Sequence, residues 1–315
     1  MPADRLDELD RRIVGALQVD GRASFRRVAE VLGESFSTVT RRGNALISGG
    51  AVRVATLVSG LPTHIVYVDA APLDIDDVAR SLAADPCVVF VFHLGGSPAL
   101  VAEIGLDEGQ LAEFTHDLAA RHAGIRSVRV APVLHYFQTV AGWRPPVLTD
   151  EEIAALEPGL PPETLGTGPY FDEPDATIVA ELGRDGRTPI SVIAERAGIP
   201  ESTARRRVDA LFRSGLVRTR VVIEPARLGL PVEAMLWIQA NPAVTMEIGE
   251  LLAAVPTVRY AALVMGTESL IVDVTMRSFG DLQTLLTHND WVSRVTSVHS
   301  ELVLESYKRS GVVTR

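Results

Sequence analysis

Apolar residues near the start of the chain recur at helical spacing in three consecutive stretches. A turn at Gly33 separates the second stretch from the third, which is predicted to open near Ser37, where the hydroxyl can cap a helix, and to end at Gly49. A strand-like run follows over 51–58. Three short helices, a turn with glycine and a β-ribbon are the pattern of a winged helix-turn-helix. The apolar positions are Leu9, Ile13, Ala16, Leu17, Val28, Val31, Leu32, Val39, Leu46 and Ile47.

A second pattern follows this head, in which strand-like and helix-like stretches alternate in the order βαββαβ. This order is typical of a ferredoxin-like domain. A later part of the chain repeats the whole arrangement, from a helical head at 175–223 to a last strand. The predicted elements of the two βαββαβ stretches are 64–70, 75–84, 88–94, 99–105, 111–120 and 128–137, then 233–239, 246–254, 258–265, 270–276, 279–286 and 295–304.

The two heads are copies of one another. Sliding residues 10–53 by 165 positions gives 19 identities in 44 residues without a gap, including the tripeptide Asp20 to Arg22, which recurs as Asp185 to Arg187. Internal similarity of this extent indicates a tandem duplication. The predicted fold class is therefore α+β, with two winged helix-turn-helix domains, each followed by a ferredoxin-like βαββαβ domain.

The pattern also predicts domain boundaries. The heads are expected at 1–60 and 172–230, and the ferredoxin-like domains at 61–140 and 231–315. A stretch rich in Pro and Gly, 141–171, with one short helical piece at 150–156, is expected to be the linker.

Composition and charge limit the functional classes. The chain has 315 residues, 47% of them hydrophobic, a single cysteine and a formal charge of −10. The heads nevertheless carry a small positive charge, +2 over 1–60 and +1 over 172–223, so the excess of acids lies elsewhere. Without a run of about 18 apolar residues or an apolar leader at the start, we expect a cytoplasmic protein that does not enter membranes.

These features resemble the Lrp/AsnC family of transcriptional regulators. The first copy reads LDELDRRIVGALQVDGRASFRRVAEVLG and then SFSTVTRRGNALISGGAVR, and the second contains DGRTPISVIAERAGIPESTARRRVDALFRSGLVR. The resemblance implies DNA binding by the helix-turn-helix and a small effector, usually an amino acid, sensed by the βαββαβ domain. It also implies a homo-oligomer, here built of chains that are each a pseudo-dimer.

The third helix of each head is expected to enter the major groove, with its N-terminal residues on base edges. Its polar face is the candidate DNA-binding surface, although such a face also occurs on helices that only meet solvent. The candidate DNA-binding residues are Ser37, Thr38, Thr40, Arg41 and Asn44 in the first head, and Ser202, Thr203, Arg205, Arg206 and Asp209 in the second.

Two arginines of the same helices allow another interpretation. Arg42 and Arg207 emerge beside the core, and the acids Asp10 and Asp175 recur with them at the repeat distance. An ion pair between the first and third helices would explain both residues without DNA. Gly43 is a further departure, because glycine costs about 1 kcal/mol in a helix interior and is expected to weaken the first recognition helix.

The effector is expected at two turns between strands, where small residues let backbone amides approach a carboxylate. The candidate effector-binding residues are Gly96, Ser97, Gly266, Thr267, Glu268 and Ser269. These glycines are equally compatible with simple hairpin turns. Both turns lack the aspartate that the family usually places there, so we expect an effector other than a plain amino acid, or none.

No catalytic motif or metal-ligand spacing is found in the sequence, so we expect a non-enzyme without a cofactor. Two alternatives stay open. Siroheme decarboxylases share the head-plus-βαββαβ architecture, although the second half here contains only His288 and His299. The chain could also bind an effector through heads that no longer bind DNA.

Overall fold

The computed structural model describes residues 5–157, 159 and 171–315. These residues form two compact units, neither of which is continuous in sequence. The first unit joins residues 5–60 and 171–229, which contain the two heads, to residues 140–157. The second unit joins residues 61–139 to residues 230–315, and so unites the two ferredoxin-like halves. Residues 158 and 160–170 of the predicted linker lie outside the described residues.

Each head contains three helices and one strand. The bounds are α1 Glu8–Val19, α2 Phe25–Leu32, α3 Phe36–Ser48 and β1 Arg53–Val58 in the first head, and α7 Glu173–Arg184, α8 Ile190–Ala197, α9 Glu201–Arg213 and β6 Val217–Val222 in the second.

The predicted β-ribbon is shared between the heads. Strand β1 pairs with β6 in antiparallel register, and Ala55 lies opposite Arg220, its own counterpart at the repeat distance of 165. On either side of this point, the offset of 165 converts the pair Val54 and Val221 into the pair Thr219 and Thr56, so the ribbon has local two-fold pseudosymmetry. Since each head contributes one strand, the ribbon joins the two heads.

Part of the predicted linker packs on the first head. Helix α6, Asp150–Leu156, is capped by Thr149, and its residue Leu156 is buried. Arg12 of α1 donates to the Glu152 carboxylate at 2.5 Å. The side chain of Gln18 donates to the carbonyl oxygen of Val140 at 2.5 Å. This segment is therefore structural and is more than a spacer.

The second unit contains the βαββαβ elements close to their predicted bounds. They are β2 Thr63–Ala70, α4 Ile75–Ala84, β3 Val88–Leu94, β4 Leu100–Gly105, α5 Leu111–Arg121 and β5 Ile125–Gln138, then β7 Val232–Ala240, α10 Pro242–Ala253, β8 Val258–Val264, β9 Leu270–Met276, α11 Phe279–Thr287 and β10 Val295–Arg309, followed by β11 Val312–Val313.

The strands of the two halves join into one sheet that closes on itself. The order is β10-β3-β4-β2-β5-β8-β9-β7, and β7 pairs again with β10. Two long strands make the junctions, because β5 continues from β2 onto β8 and β10 continues from β7 onto β3. Val133 faces Val264 at one junction, and Val303 faces Leu94 at the other. These pairs are related by an offset of 170, so the junctions are pseudo-equivalent.

Candidate functional site

The recognition helices begin differently in the two heads. In α3 the hydroxyl of Ser35 accepts a hydrogen bond from the amide of Thr38 at 3.2 Å, so the cap lies two residues before the predicted Ser37. In α9 the equivalent position is Pro200, which gives no side-chain cap. Helix α3 ends before Gly49, as predicted, and both helices contain 13 residues.

Most of the predicted DNA-binding side chains lie on exposed surface. The two threonines that follow the first exposed serines, Thr38 and Thr203, are half-buried, and the hydroxyl oxygen of Thr40 is buried. Thr40 therefore presents no polar group to a ligand in this conformation. The exposed members are Ser37, Arg41 and Asn44 in α3, and Ser202, Arg205, Arg206 and Asp209 in α9.

The predicted ion pairs between first and third helices are confirmed. Arg42 donates to Asp10 at 2.9 Å and to the helix cap Asp7 at 2.5 Å. The amide of Asp10 and the guanidinium of Arg42 lower the pKa of Asp7. These contacts tie the guanidinium of Arg42 to the start of the first helix of the head.

The second head repeats this arrangement. Arg207 donates to Asp175 and to Asp172, both at 2.9 Å. Hydrogen bonding from the amide of Asp175 and from Arg207 lowers the pKa of Asp172. A structural role therefore accounts for both arginines.

The first recognition helix continues through Gly43 to Ser48. Gly43 is buried, and a Cβ built on it would lie 2.4 Å from Cε1 of Phe25 in α2. At the equivalent places the second head has Val208 and Ile190. The first head thus combines the large ring of Phe25 with a glycine, where the second head has two medium-sized side chains. Glycine at position 43 leaves room for that ring.

The repeated tripeptide forms a contact between the heads, which sequence reasoning noted but did not explain. Nη1 of Arg22 donates to the carbonyl oxygen of Gly186 at 2.5 Å, and Nη1 of Arg187 donates to that of Gly21 at 2.7 Å. Burial lowers the pKa of both guanidinium groups, and the charge of Arg187 lowers that of Arg22 further. The sequence signal for this contact was the identity of the two tripeptides, because a symmetric contact between the heads uses the same residue in each copy.

The first predicted effector turn is filled by the protein itself. A Cβ at Gly96 would lie 2.2 Å from Oε1 of Glu301, so the carboxylate of this residue rests directly against the glycine. The hydroxyl of Ser97 donates to Asp69 at 3.0 Å. His299 lies 3.2 Å from the Glu301 carboxylate. The sequence predicts that this turn receives the carboxylate of a ligand. The carboxylate found there belongs to Glu301 of the same chain.

The second predicted turn carries a cation. Gly266 has φ of +145°, and a Cβ there would lie 3.6 Å from Nη1 of Arg129. Arg129 pairs with Glu268 at 2.9 Å, and its guanidinium carbon lies 3.9 Å from the ring centroid of Tyr67. Thr267 is exposed, and Ser269 donates its amide to the carbonyl oxygen of Ile238.

The two turns lie at different junctions of the closed sheet, so the predicted effector residues do not form one site. Gly95 donates its amide to Leu302 of β10, whereas Met265 donates to Pro132 of β5. The turns are pseudo-equivalent in position but differ in charge, because the first carries the carboxylate of Glu301 and the second carries the ion pair of Arg129 and Glu268. An anionic ligand would be repelled by the first turn, whereas at the second it would compete with Glu268 for Arg129.

Strands β7, β8, β9 and β10 of the second half contribute the side chains of a buried ionic cluster. Arg309 donates to both carboxylate oxygens of Glu233, at 2.7 and 2.5 Å, and Arg259 donates to Glu233 at 3.0 Å. Although burial opposes it, these cations hold the pKa of Glu233 below its usual value. Burial and the charge of Glu233 raise the pKa of Asp273 to about 7. Asp273 is therefore the carboxyl group that holds a proton near neutral pH.

The pseudo-equivalent place in the first half has phenols instead of arginines. Glu103, the counterpart of Asp273 at offset 170, accepts from the hydroxyl of Tyr136 at 2.7 Å and from that of Tyr260 at 2.9 Å. The two halves have thus diverged in their buried polar groups.

Neither a metal-binding cluster nor a membrane-spanning helix is found among the described residues. No group of three or more His, Cys, Asp or Glu side chains there is arranged to hold a metal ion. In the same part of the chain, no helix combines the length and the apolar character needed to cross a bilayer.

Comparison with known proteins identifies both parts of the repeat. The AsnC-type helix-turn-helix domain matches residues 6–47 and 171–211, and the Lrp/AsnC ligand binding domain matches residues 233–313. An uncharacterised HTH-type transcriptional regulator of Pyrococcus abyssi is 32% identical over 144 residues, which cover 45% of this chain and 90% of the relative. The HTH-type transcriptional regulator LrpA of Pyrococcus horikoshii is 30% identical over 140 residues, 44% of this chain and 99% of that protein.

A solved structure resembles the chain over nearly its whole length. The siroheme decarboxylase NirDL superposes with a TM-score of 0.63, covering 96% of this chain and 93% of NirDL, at 14% sequence identity. At this identity the likeness concerns the fold, and it shows that two fused head-plus-sheet halves occur in another protein.

Proposed function

Because the chain belongs to the Lrp/AsnC family of transcriptional regulators, we propose that its two fused heads bind one DNA site as a built-in dimer. The main support for the proposal is that each recognition helix has two adjacent arginines, of which one is bound within the head and the other is exposed. Arg42 and Arg207 are used inside the heads, whereas Arg41 and Arg206 lie exposed one residue earlier. An exposed arginine on a recognition helix is suited to phosphate or guanine.

The heads are coupled before DNA is present. The ribbon β1–β6 and the reciprocal contacts of Arg22 and Arg187 fix one recognition helix relative to the other. A free dimer reaches the same state only by association, so fusion removes the concentration dependence of that step. We further propose that the chain assembles into homo-oligomers of such pseudo-dimers in the cytoplasm.

Mobility shifts test the DNA interface. We expect Arg41→Ala and Arg206→Ala each to weaken binding to genomic fragments selected by the full chain, with unchanged melting temperature. Each lost phosphate contact reduces the slope of log affinity against log salt by about 1. Lys and Arg outside the heads provide the control, and Arg277→Ala in the second unit should leave both affinity and slope unchanged. Equal shifts for all these variants would refute the assigned interface.

For the effector we propose the second turn, where an anionic ligand would replace the carboxylate of Glu268 as the partner of Arg129. The first turn is already occupied by the carboxylate of Glu301, and like charges repel. The ligand class that fits is a small carboxylate without an ammonium group, because the turn has no aspartate at the family's position.

Calorimetry with the twenty amino acids and their 2-oxo acid counterparts tests this assignment. We expect heat only with 2-oxo acids, lost in Arg129→Ala and retained in Arg126→Ala, a neighbouring arginine on the same strand. Tight binding of a plain amino acid would overturn it.

The enzyme interpretation is the second candidate, favoured only by the fold shared with NirDL. We propose that the chain is not an enzyme, since its named sequence relatives are regulators. A simple test separates the two. Protein mixed with siroheme would co-elute with visible absorbance if it were a decarboxylase, and should elute colourless if it is a regulator.

A further inference from the structure

A phenylalanine at the start of the first recognition helix is exposed. Phe36 is the first residue of α3, directly after the cap Ser35, and is 50% exposed. Its ring lies under an arginine of the preceding helix, with the guanidinium carbon of Arg26 5.1 Å from the ring centroid. Arg26 is itself exposed. An apolar group and a cation are thus presented together at the helix N-terminus.

This position suits one feature of double-stranded DNA. The N-terminal residues of a recognition helix approach base edges in the major groove, and the apolar group on those edges is the C5-methyl of thymine. A phenyl ring has no hydrogen-bonding group for a base or a phosphate. Arg26, standing over the ring, is suited to the adjacent phosphate.

The second head has a different group at the same place. The first residue of α9 is Glu201, which pairs with Arg205 at 3.2 Å one turn later. A carboxylate there cannot make an apolar contact with thymine. The repeat therefore supplies a matched control, in which an equivalent helix starts with an acid in place of a ring.

We propose that Phe36 is a specificity-determining residue that reads a thymine methyl group in the half-site bound by the first head. The inference rests on the proposed function, because it requires DNA binding by α3. It adds a base preference that the polar face of the helix does not provide, and it makes the first head the thymine-reading one of the pair.

A cycle of protein and DNA changes tests the contact. Deoxyuridine lacks the C5-methyl of thymidine and otherwise has the same base edge, so each thymine of a selected operator is replaced in turn. For the native chain, we expect one or two replacements to weaken binding about fourfold, the effect of one buried methyl group. In Phe36→Ala these replacements should have no effect. The coupling between the two changes isolates the contact from general losses.

Two controls keep the result specific. Glu201→Ala should leave the deoxyuridine pattern of the native chain unchanged. Arg26→Ala should weaken binding uniformly and retain the pattern. Because Phe36 is half-exposed, its replacement should not alter the melting temperature.

The outcomes are distinct for the two proposals. DNA binding with the same deoxyuridine losses in native chain and Phe36→Ala would overturn this inference and leave the proposed function standing. The same holds if Phe36→Ala changes only the mass of the oligomer, which would make the ring a protein contact. Failure of the native chain to bind any selected fragment would overturn both.

Discussion

Arg22 and Arg187 donate hydrogen bonds to each other's turns, so each head closes on the backbone of the other. The two guanidinium groups use the carbonyl oxygens of Gly186 and Gly21, at 2.5 and 2.7 Å. They also stack on aromatic rings, Arg22 on Phe212 at 5.8 Å and Arg187 on Phe25 at 5.0 Å. The tripeptide repeated in sequence is therefore an internal dimer contact.

Removing either arginine should loosen the pair of heads. A hydrogen bond from a charged group contributes about 1.5–3 kcal/mol, so we expect Arg22→Ala and Arg187→Ala each to lower the free energy of unfolding by about that amount. Urea unfolding measures it. The control is Arg11→Ala, which removes a half-buried arginine that donates to the Asp7 carbonyl oxygen of its own head and should change stability little. Equal losses in all three variants would contradict the assigned role.

Glycine at position 43 should be replaceable only together with Phe25. We expect Gly43→Val to cost about 1–3 kcal/mol through overpacking, because its Cβ would lie 2.4 Å from the ring of Phe25. The double variant Gly43→Val with Phe25→Ile recreates the pair Val208 and Ile190 of the second head. It should recover most of that loss in thermal unfolding. Additive losses would show that the two residues do not compensate one another.

The arginines inside the heads should support stability in a way that depends on pH. The pKa of Asp7 and of Asp172 is lowered in the folded chain, so their contribution is complete above the unfolded value of about 3.8 and is lost as the pH falls through the lower folded value. We expect Arg42→Ala and Arg207→Ala to melt earlier than the native chain at pH 7. The difference should shrink toward pH 2, and a constant difference would contradict it.

Asp273 should give the opposite pH dependence. Its pKa is raised to about 7 by burial and by Glu233, so the folded chain holds a proton that the unfolded chain releases above about pH 4. Stability should therefore fall between pH 4 and pH 7 and then level off. Asp273→Asn cannot ionise, and it should gain stability relative to the native chain over that interval. Parallel pH profiles in urea unfolding would refute this.

The sequence predicts the elements better than their partners. Helical spacing placed α4 and α6 at their observed bounds, since period and capping are local properties. The same residues do not indicate that β1 pairs with β6, because a strand's partner depends on contacts distant in sequence. The closure of the sheet through β5 and β10 could not be predicted from the sequence for the same reason.

The candidate site shows the same limit. The ion pair of Asp10 and Arg42 was predictable for two reasons. Both residues recur in the second head at the repeat distance, and the helical spacing places Arg42 beside the core. Glu301 was not recognised as the group that fills the turn at Gly96, since the two lie on strands far apart in sequence. Phe36 was not among the candidate DNA-binding residues, because those were chosen from the polar face of the helix.

The most direct test of the account is selection of bound sites from random DNA by the full chain, followed by sequencing. The contact faces differ between the heads. Asn44 of the first head corresponds to Asp209 of the second, Phe36 corresponds to Glu201, and the exposed Arg205 corresponds to Thr40, whose hydroxyl is buried. Base discrimination of about 1–3 kcal/mol per position then gives unlike half-sites. We expect an enriched motif with two different halves in fixed orientation. A perfectly two-fold symmetric motif, or no enriched motif, would contradict the account.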